Sequence, residues 1–307
     1  MASAAPEAPA QEQEQKSTRE RADDAAERAE DEHIAQAPGD AERIRRAGAA
    51  ARRKFTRLSP HATDWVGKWQ PWLSRSPLGT DLIVWWWYES ELRRRLGDRT
   101  YQDHFARLLA QASPRDCAAL SLGCTRRTDR SCRGPETCAL DPDLSAERLR
   151  HRTGPVPGAC DSFCDFDGVA LHIDFTSDDR HRAVVMRDQE RGGRMSLWVN
   201  GVPAAHGASL DWGGYWLDDR HYVIQAEGPD GHPEQALAMG TLCCAIMSLV
   251  IHDAELAETR VLVPEPTELW NYPQVRRHGD TLHVYADPEA AEAGRPDRVL
   301  PVAPPPD

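Results

Sequence analysis

Cysteines are the first side chains whose type and spacing could do chemistry, because six of the chain's eight lie between positions 117 and 164. The usual knuckles of a zinc site place two to four residues between two thiolates. Cys160 and Cys164 have this spacing, and Cys132 with Cys138 would complete four ligands for structural zinc, with His151 as a substitute. Three disulfides or free buried thiols are the alternatives, and the sequence leaves all three open.

A second candidate site lies at the start of the β-rich half. His172 and Asp174 alternate on a predicted strand and therefore share a face, with Asp178 shortly after them. Imidazole and carboxylate ligands serve hydrolytic metal sites, which makes a metal-dependent hydrolase one hypothesis. Asp178 belongs to the sequence Asp-Asp-Arg-His, however, and that sequence recurs at 218–221. A turn in which the carboxylate caps its own backbone is the alternative interpretation of Asp178.

A basic segment at 43–57 contains seven arginines and lysines and no acidic residue. In a nucleic-acid-binding protein, Arg45, Arg46, Arg52 and Arg53 would contact phosphates. The net charge of the whole chain is -12, which disfavours that hypothesis. The alternative is a solvated helix whose arginines pair with the acidic stretch before it.

Three successive tryptophans form a third candidate, a site for binding a partner. Trp85, Trp86 and Trp87 cannot all face one core, because successive residues of a helix point about 100 degrees apart. At least one of them should contact another domain, a ligand or a partner. Burial under the β-rich half of the chain is the alternative interpretation.

The elements that must position these residues divide the chain into five parts. Residues 1–59 form a charged tail, disordered or helical, and 60–115 form a helical segment rich in Trp. One of its helices is predicted to begin at Thr80 and end at Gly97, and the next to begin at Thr100, where Asp103 supplies the acidic partner of a capping box. Residues 116–165 form a cysteine-rich loop region, 166–290 an antiparallel β domain punctuated by Asn-Gly and Asp-Gly turns, and 291–307 a Pro-rich tail. The fold class is therefore α+β, with a sandwich-like or incomplete-propeller β domain.

The β domain carries a weak internal repeat. Asp178-Asp179-Arg180-His181 and Asp218-Asp219-Arg220-His221 each precede a short apolar run, 40 residues apart. With these turns, residues 169–287 resemble blades of a β-propeller over about three blade lengths. The resemblance implies a scaffold rather than an activity. A closed propeller needs at least four blades, so an open or sandwich-like sheet arrangement is expected.

These observations favour a non-enzymatic binding or adaptor protein that acts through a recognition surface on the β domain and has a protein partner. A metal-dependent hydrolase and a nucleic-acid-binding protein using residues 43–57 are the alternatives. The longest apolar run, residues 242–251, is too short to span a bilayer, so no membrane span is predicted. No secretory segment is found near Met1, so a cytoplasmic location is the default expectation, with non-classical secretion left open.

Overall fold

The computed structural model of the chain describes residues 8–57, 77–114, 116–117, 171–188, 194–205, 209–210, 214–235 and 246–302. The predicted α+β class is confirmed. Five helices come first in the described chain, and the strands that follow pair antiparallel in three sheets, none of which closes. The helices are α1 (Ala8–Ala35), α2 (Asp40–Thr56), α3 (Pro77–Trp87), α4 (Glu89–Leu96), α5 (Asp98–Leu109) and a short α6 (Pro288–Glu292) near the end of the chain.

The helical segment is built on apolar stripes. In α5, Tyr101, Phe105 and Leu109 recur every four residues and are almost completely buried. Gly97 ends α4 as predicted, with a φ of 82° that glycine adopts without strain. The predicted helix starts are wrong by two or three residues. The helix predicted from Thr80 to Gly97 begins at Pro77, because proline lacks the N–H that a first helical position leaves unbonded. It is two helices rather than one, since α3 ends at Trp87 and α4 begins at Glu89.

The strands come in the order of the chain. Sheet 1 contains β1 (Leu171–Phe175), β2 (Arg182–Asp188), β3 (Arg194–Val199) and β4 (Val202–Ala204). Sheet 2 contains β5 (Tyr215–Trp216), β6 (His221–Glu227), β7 (Met247–Asp253) and β8 (Glu258–Leu262). Sheet 3 contains β9 (Gln274–His278), β10 (Thr281–Tyr285) and β11 (Arg298–Pro301), so the described β structure continues to Pro301. Each strand pairs with its neighbours in sequence, which makes every sheet a meander.

The sheets stack face to face because their strands alternate between two cores. On sheet 1, Val184 and Trp198 pack against the helices, whereas Val185 and Leu197 face sheet 2. On sheet 2, Ile224 faces sheet 1, and the other face packs on sheet 3. The layers therefore follow the chain: helices, sheet 1, sheet 2 and sheet 3. The two Asp-Asp-Arg-His sequences occupy matching turns, each before the second strand of a four-stranded sheet.

The charged N-terminal segment contributes to the helical layer. α2 buries Ala47, Ala50 and Ala51 in the same core as α3 and α5. α1 adds Ile34 to this core. Small alanine side chains let α2 approach its neighbours closely, and this contact positions the basic residues of α2 beside acidic ones.

Candidate functional site

A groove of about 740 Å³ opens between the last strands of sheets 1 and 2, and we call it the rim groove. One wall is Pro203 and Ala204 of β4, and the other is Thr259 and Val261 of β8 with Val263 after it. The floor is formed by Ala226, Ser248 and His252, and Glu227 and Asp230 lie at its border. Clefts of this size accommodate several side chains of a ligand.

Both walls of the rim groove are edge strands. In the described chain, β4 pairs only with β3 and β8 only with β7. An edge strand presents a row of backbone N–H and C=O groups that another strand can pair with. Pro203 removes one donor from β4, so β8 is the better template for pairing.

Large apolar side chains are exposed along these edges. Val261 is 50 % exposed, Val263 44 % and Val202 59 %, although valine is usually buried. Val261 lies opposite Val250, so both face sheet 1. Sheet 1 ends at the three-residue β4 and does not reach far enough to cover Val261. The exposure of Val261 is therefore a consequence of the unequal widths of the two sheets.

Polar side chains line the rim groove beside the apolar ones, among them Ser209, Ser248 and Thr259. Nδ1 of His252 lies 2.9 Å from Oγ1 of Thr259 on the neighbouring strand. Burial lowers the pKa of His252, so this imidazole is neutral at neutral pH. Glu227 and Asp230 give the border of the groove a negative charge. The groove therefore combines apolar walls with an acidic border.

The predicted metal-ligand set is brought together only in part. Nε2 of His172 lies 2.6 Å from Oδ2 of Asp174, which also accepts a hydrogen bond of 3.0 Å from the hydroxyl of Tyr222. Asp178 instead accepts hydrogen bonds from the Thr176 hydroxyl and the Arg180 backbone N–H in a turn. Nowhere in the described parts of the chain do three or more His, Cys, Asp or Glu side chains form a group suited to a metal ion.

The proposed zinc ligands Cys132, Cys138, Cys160 and Cys164 lie outside the described residues. Cys117 is described and is a free, completely buried thiol. Burial raises the pKa of this thiol to about 12, so Cys117 is protonated and unreactive at neutral pH. Its position is that of a core residue.

The four arginines predicted to contact phosphates all form ion pairs within the chain. Arg45 and Arg46 both contact Glu42, at 2.6 and 2.7 Å. Arg53 contacts Glu30 of α1 at 2.7 Å, and Arg52 contacts Asp81 of α3. Each guanidinium therefore has a carboxylate partner, and the arginines hold α1, α2 and α3 together.

The three tryptophans point in different directions, as the helical geometry requires. Trp85 and Trp86 are buried in the helical core, where Trp86 stacks on Phe105 with ring centres 6.2 Å apart. Trp87 is half-buried and meets Phe55 of α2 edge to face. Trp85 packs against His104 at 4.2 Å, and burial lowers the pKa of His104 to about 4. The core that contains Trp85 and Trp86 also includes residues of sheet 1, such as Val184 and Trp198.

The rim groove was not predicted from the sequence, although two signals were present. β8 contains the charged residues Glu258 and Arg260, and β4 contains Pro203; charged residues and proline are both typical of edge strands. None of the described helices is long and apolar enough to cross a membrane. Comparison of the chain with protein-family models, with curated proteins and with solved structures gives no match.

Proposed function

We propose that the protein is a non-enzymatic binding protein that takes an extended segment of a protein partner into the rim groove. The observation that carries this proposal is the pair of edge strands flanking a groove with exposed valines. Exposed apolar side chains next to a free strand edge are the elements of strand addition, in which a peptide extends an existing sheet.

The incoming segment pairs with β8. Its backbone bonds to the outer edge of β8, and its alternate side chains point into the groove beside Val261 and Val263. Backbone pairing supplies affinity, and the groove supplies selectivity.

The groove also defines the chemistry of this segment. Apolar side chains at alternate positions fit beside the valine, alanine and proline residues of the walls. A lysine or arginine at one end fits the acidic border at Glu227 and Asp230. The predicted partner sequence is therefore a short extended run of alternating apolar residues followed or preceded by a basic residue.

The test is selection from a displayed peptide library with the full chain, followed by affinity measurement. Substitution of Val261 and Val263 by Glu places two charges in the groove, and we expect selected peptides to lose about tenfold or more in affinity. Val299→Glu is the matched control, because Val299 is an equally exposed valine, at 54 %, on the edge strand of sheet 3. This control should bind the peptides normally.

Two results would contradict the proposal. The first is a selection that enriches no alternating apolar peptide. The second is enrichment of peptides whose affinity falls equally in the Val299→Glu control, because the groove would then have no special part in binding.

A further inference from the structure

α1 covers a group of cations contributed by two other helices. Arg53 and Lys54 come from α2, and Arg94 and Arg95 come from α4. We call these four side chains the basic cleft. Arg95 is almost completely covered, with its side chain 2 % exposed. A guanidinium at this depth needs carboxylate partners, since an unpaired buried charge is strongly unfavourable.

α1 supplies three carboxylates to the basic cleft. Glu30 and Asp31 follow Glu27 by three and four residues, so both lie on the same side of the helix as Glu27. Oδ2 of Asp31 lies 2.7 Å from Nη1 of Arg94, and Oδ1 lies 2.8 Å from Nε of Arg95. The hydrogen bond from Arg94 lowers the pKa of Asp31, which keeps this carboxylate charged in mildly acidic solution.

Apolar contacts contribute little to the docking of α1. Among the α1 side chains that the structure describes, Ile34 alone is buried. The helix has nine acidic and four basic residues, whereas α2 has six basic and two acidic ones. Charge is thus the main attraction between α1 and the rest of the helical layer, and such attraction is reversible and screened by salt.

The charge balance of the basic cleft depends on α1. Glu91 of α4 contacts Lys54 at 2.7 Å and Arg95 at 2.8 Å, so it is an internal partner for the cations. With Glu27, Glu30 and Asp31 in place, four carboxylates face four cations. Without α1, Glu91 alone would face all four, and the cleft would attract another acidic group.

We propose that the basic cleft is a binding site for an acidic helix of a partner protein, and that α1 occupies this site within the same chain. The ligand is defined by what α1 presents: carboxylates at the spacing of Glu27, Glu30 and Asp31, with an apolar residue at the place of Ile34. A partner helix with this pattern competes with α1. An extended polyanion would reproduce neither the helical spacing of the carboxylates nor the apolar residue, so these two features favour a helix as the ligand.

The test uses the full chain and a fluorescent peptide with the sequence of residues 8–35 as the acidic helix. In the charge-reversed variant, Glu27, Glu30 and Asp31 are replaced by Lys, which expels α1 from the cleft. Anisotropy at about 50 mM salt should show binding about tenfold tighter than to the wild-type chain, where α1 competes. Adding Arg95→Gln to the charge-reversed variant should abolish this gain.

A matched control has the same change in charge. Asp23, Asp24 and Glu32 are exposed on α1 and make no ion pair among the described residues, so their replacement by Lys should leave peptide binding at the wild-type level. Far-ultraviolet circular dichroism verifies that each variant is folded. Ile34→Ala provides a second route to a loosened α1 without a change in charge and should also increase peptide binding.

Three outcomes would overturn the proposal. Equal peptide binding by the wild-type chain, the charge-reversed variant and the control would show that α1 does not occupy a binding site. Tighter binding of a single-stranded oligonucleotide than of the peptide to the charge-reversed variant would assign the basic cleft to nucleic acid. Wild-type dimers formed by exchange of α1, seen by sedimentation, would assign it to a second copy of the chain.

Discussion

Asp174 is the central acceptor of a buried group of polar side chains, and the Tyr222 hydroxyl donates to it at 3.0 Å. We expect Tyr222→Phe to lower the free energy of unfolding by about 1–3 kcal/mol, because a buried carboxyl group loses a hydrogen-bond donor in the core. Urea denaturation measures this change.

Tyr88→Phe is the control for the loss of a buried hydroxyl. Among the described residues the Tyr88 hydroxyl has no hydrogen-bond partner, so its removal should leave stability unchanged or slightly increased. If Tyr88→Phe lowered the free energy of unfolding as much as Tyr222→Phe, packing rather than the hydrogen bond to Asp174 would explain both results.

Asp218 makes the free energy of unfolding depend on pH. Burial would raise the pKa of Asp218, but hydrogen bonds from the His221 side chain and backbone, from Arg277 and from the Arg220 backbone together lower it. Because the folded pKa lies below the unfolded one, the contribution of Asp218 is complete above about pH 4 and is lost as the pH falls through the folded value.

Asp218→Asn tests this dependence. The variant should be less stable than the wild type near pH 6, and the difference should shrink as the pH falls below about 3. Urea unfolding at both pH values measures it, with the exposed Asp230→Asn as control. A difference that stays constant with pH would exclude Asp218 as the titrating group.

Some residue contacts could be predicted from the sequence, and others could not. The alternation of a strand places His172 beside Asp174, and the structure has them 2.6 Å apart. Tyr222, which donates the other hydrogen bond to Asp174, belongs to sheet 2 and lies 48 positions further along the chain. No local pattern predicts such a contact, since it depends on how two sheets stack. Arg53 pairs with Glu30 of the acidic stretch before it, as the alternative interpretation of the basic segment expected, whereas Arg52 pairs with Asp81, 29 positions further along the chain.

At the scale of elements, the turn between β3 and β4 carries a steric constraint. Gly201 has a φ of 78°, and a Cβ there would lie 2.8 Å from the Cβ of Ala110 at the end of α5. Gly231 has a similar φ of 82° but open space around it. Gly231→Ala should therefore lose about 1 kcal/mol of stability from backbone strain alone.

Gly201→Ala should cost about 1–3 kcal/mol more than Gly231→Ala, because the added methyl forces the turn away from α5. Thermal unfolding of the two variants measures the difference. If the two substitutions destabilised the chain equally, the contact between this turn and α5 would contribute nothing.

The docking of α1 should respond to ionic strength. Ion pairs near the surface weaken as the screening length falls from about 10 Å at 0.1 M salt to about 3 Å at 1 M. We expect amide hydrogen exchange in α1 to accelerate at high salt while exchange in α5, which buries Phe105 and Leu109, stays unchanged. Unchanged protection of α1 in 1 M salt would show that apolar contacts hold it.

The elements that the sequence missed are short or lie on a sheet edge. β5 has two residues and β4 has three, too few for an alternating pattern to be recognised. The predicted capping box at Thr100 and Asp103 is wrong. α5 already begins at Asp98, and Asp103 instead accepts hydrogen bonds from Arg99 and from Trp198 of sheet 1. Asp103 therefore bonds to a tryptophan that is distant in sequence instead of capping the start of its own helix.

For the whole molecule, the helical layer and sheet 1 share one core, and Trp198 lies in it. Its ring is completely buried, and its indole N–H donates to Asp103 of α5 at 2.8 Å. Trp198→Ala should cost about 3–5 kcal/mol. Because the core is shared, helix and sheet signals should be lost together in one transition, which circular dichroism and hydrogen exchange in β6 can follow.

Separate transitions for the helices and the sheets in the Trp198→Ala variant would contradict a shared core. Leu269→Ala provides the control, because Leu269 is 50 % exposed and its truncation should change stability little.

The fold class could be predicted from composition and turn signals, but the order of the layers could not. Hairpin turns such as Asn200-Gly201 indicate antiparallel pairing. β2 is apolar on both faces, and its neighbouring residues Val184 and Val185 enter different cores. A strand that is apolar on both sides gives no preference for either neighbour.

The meander order of the sheets has a consequence for how such a chain changes length. Each sheet is formed by strands that are adjacent in sequence. The insertion of a further sheet between β8 and β9 would therefore leave the strand order of the other sheets unchanged. Both ends of the stack would stay covered, since the helical layer packs on sheet 1 and α6 lies beside sheet 3. α6 is bonded to sheet 3 by Arg276, which donates a hydrogen bond to the Ala291 carbonyl. Duplication of a segment of about forty residues would therefore give a longer stack, with one more Asp-Asp-Arg-His turn marking the inserted unit.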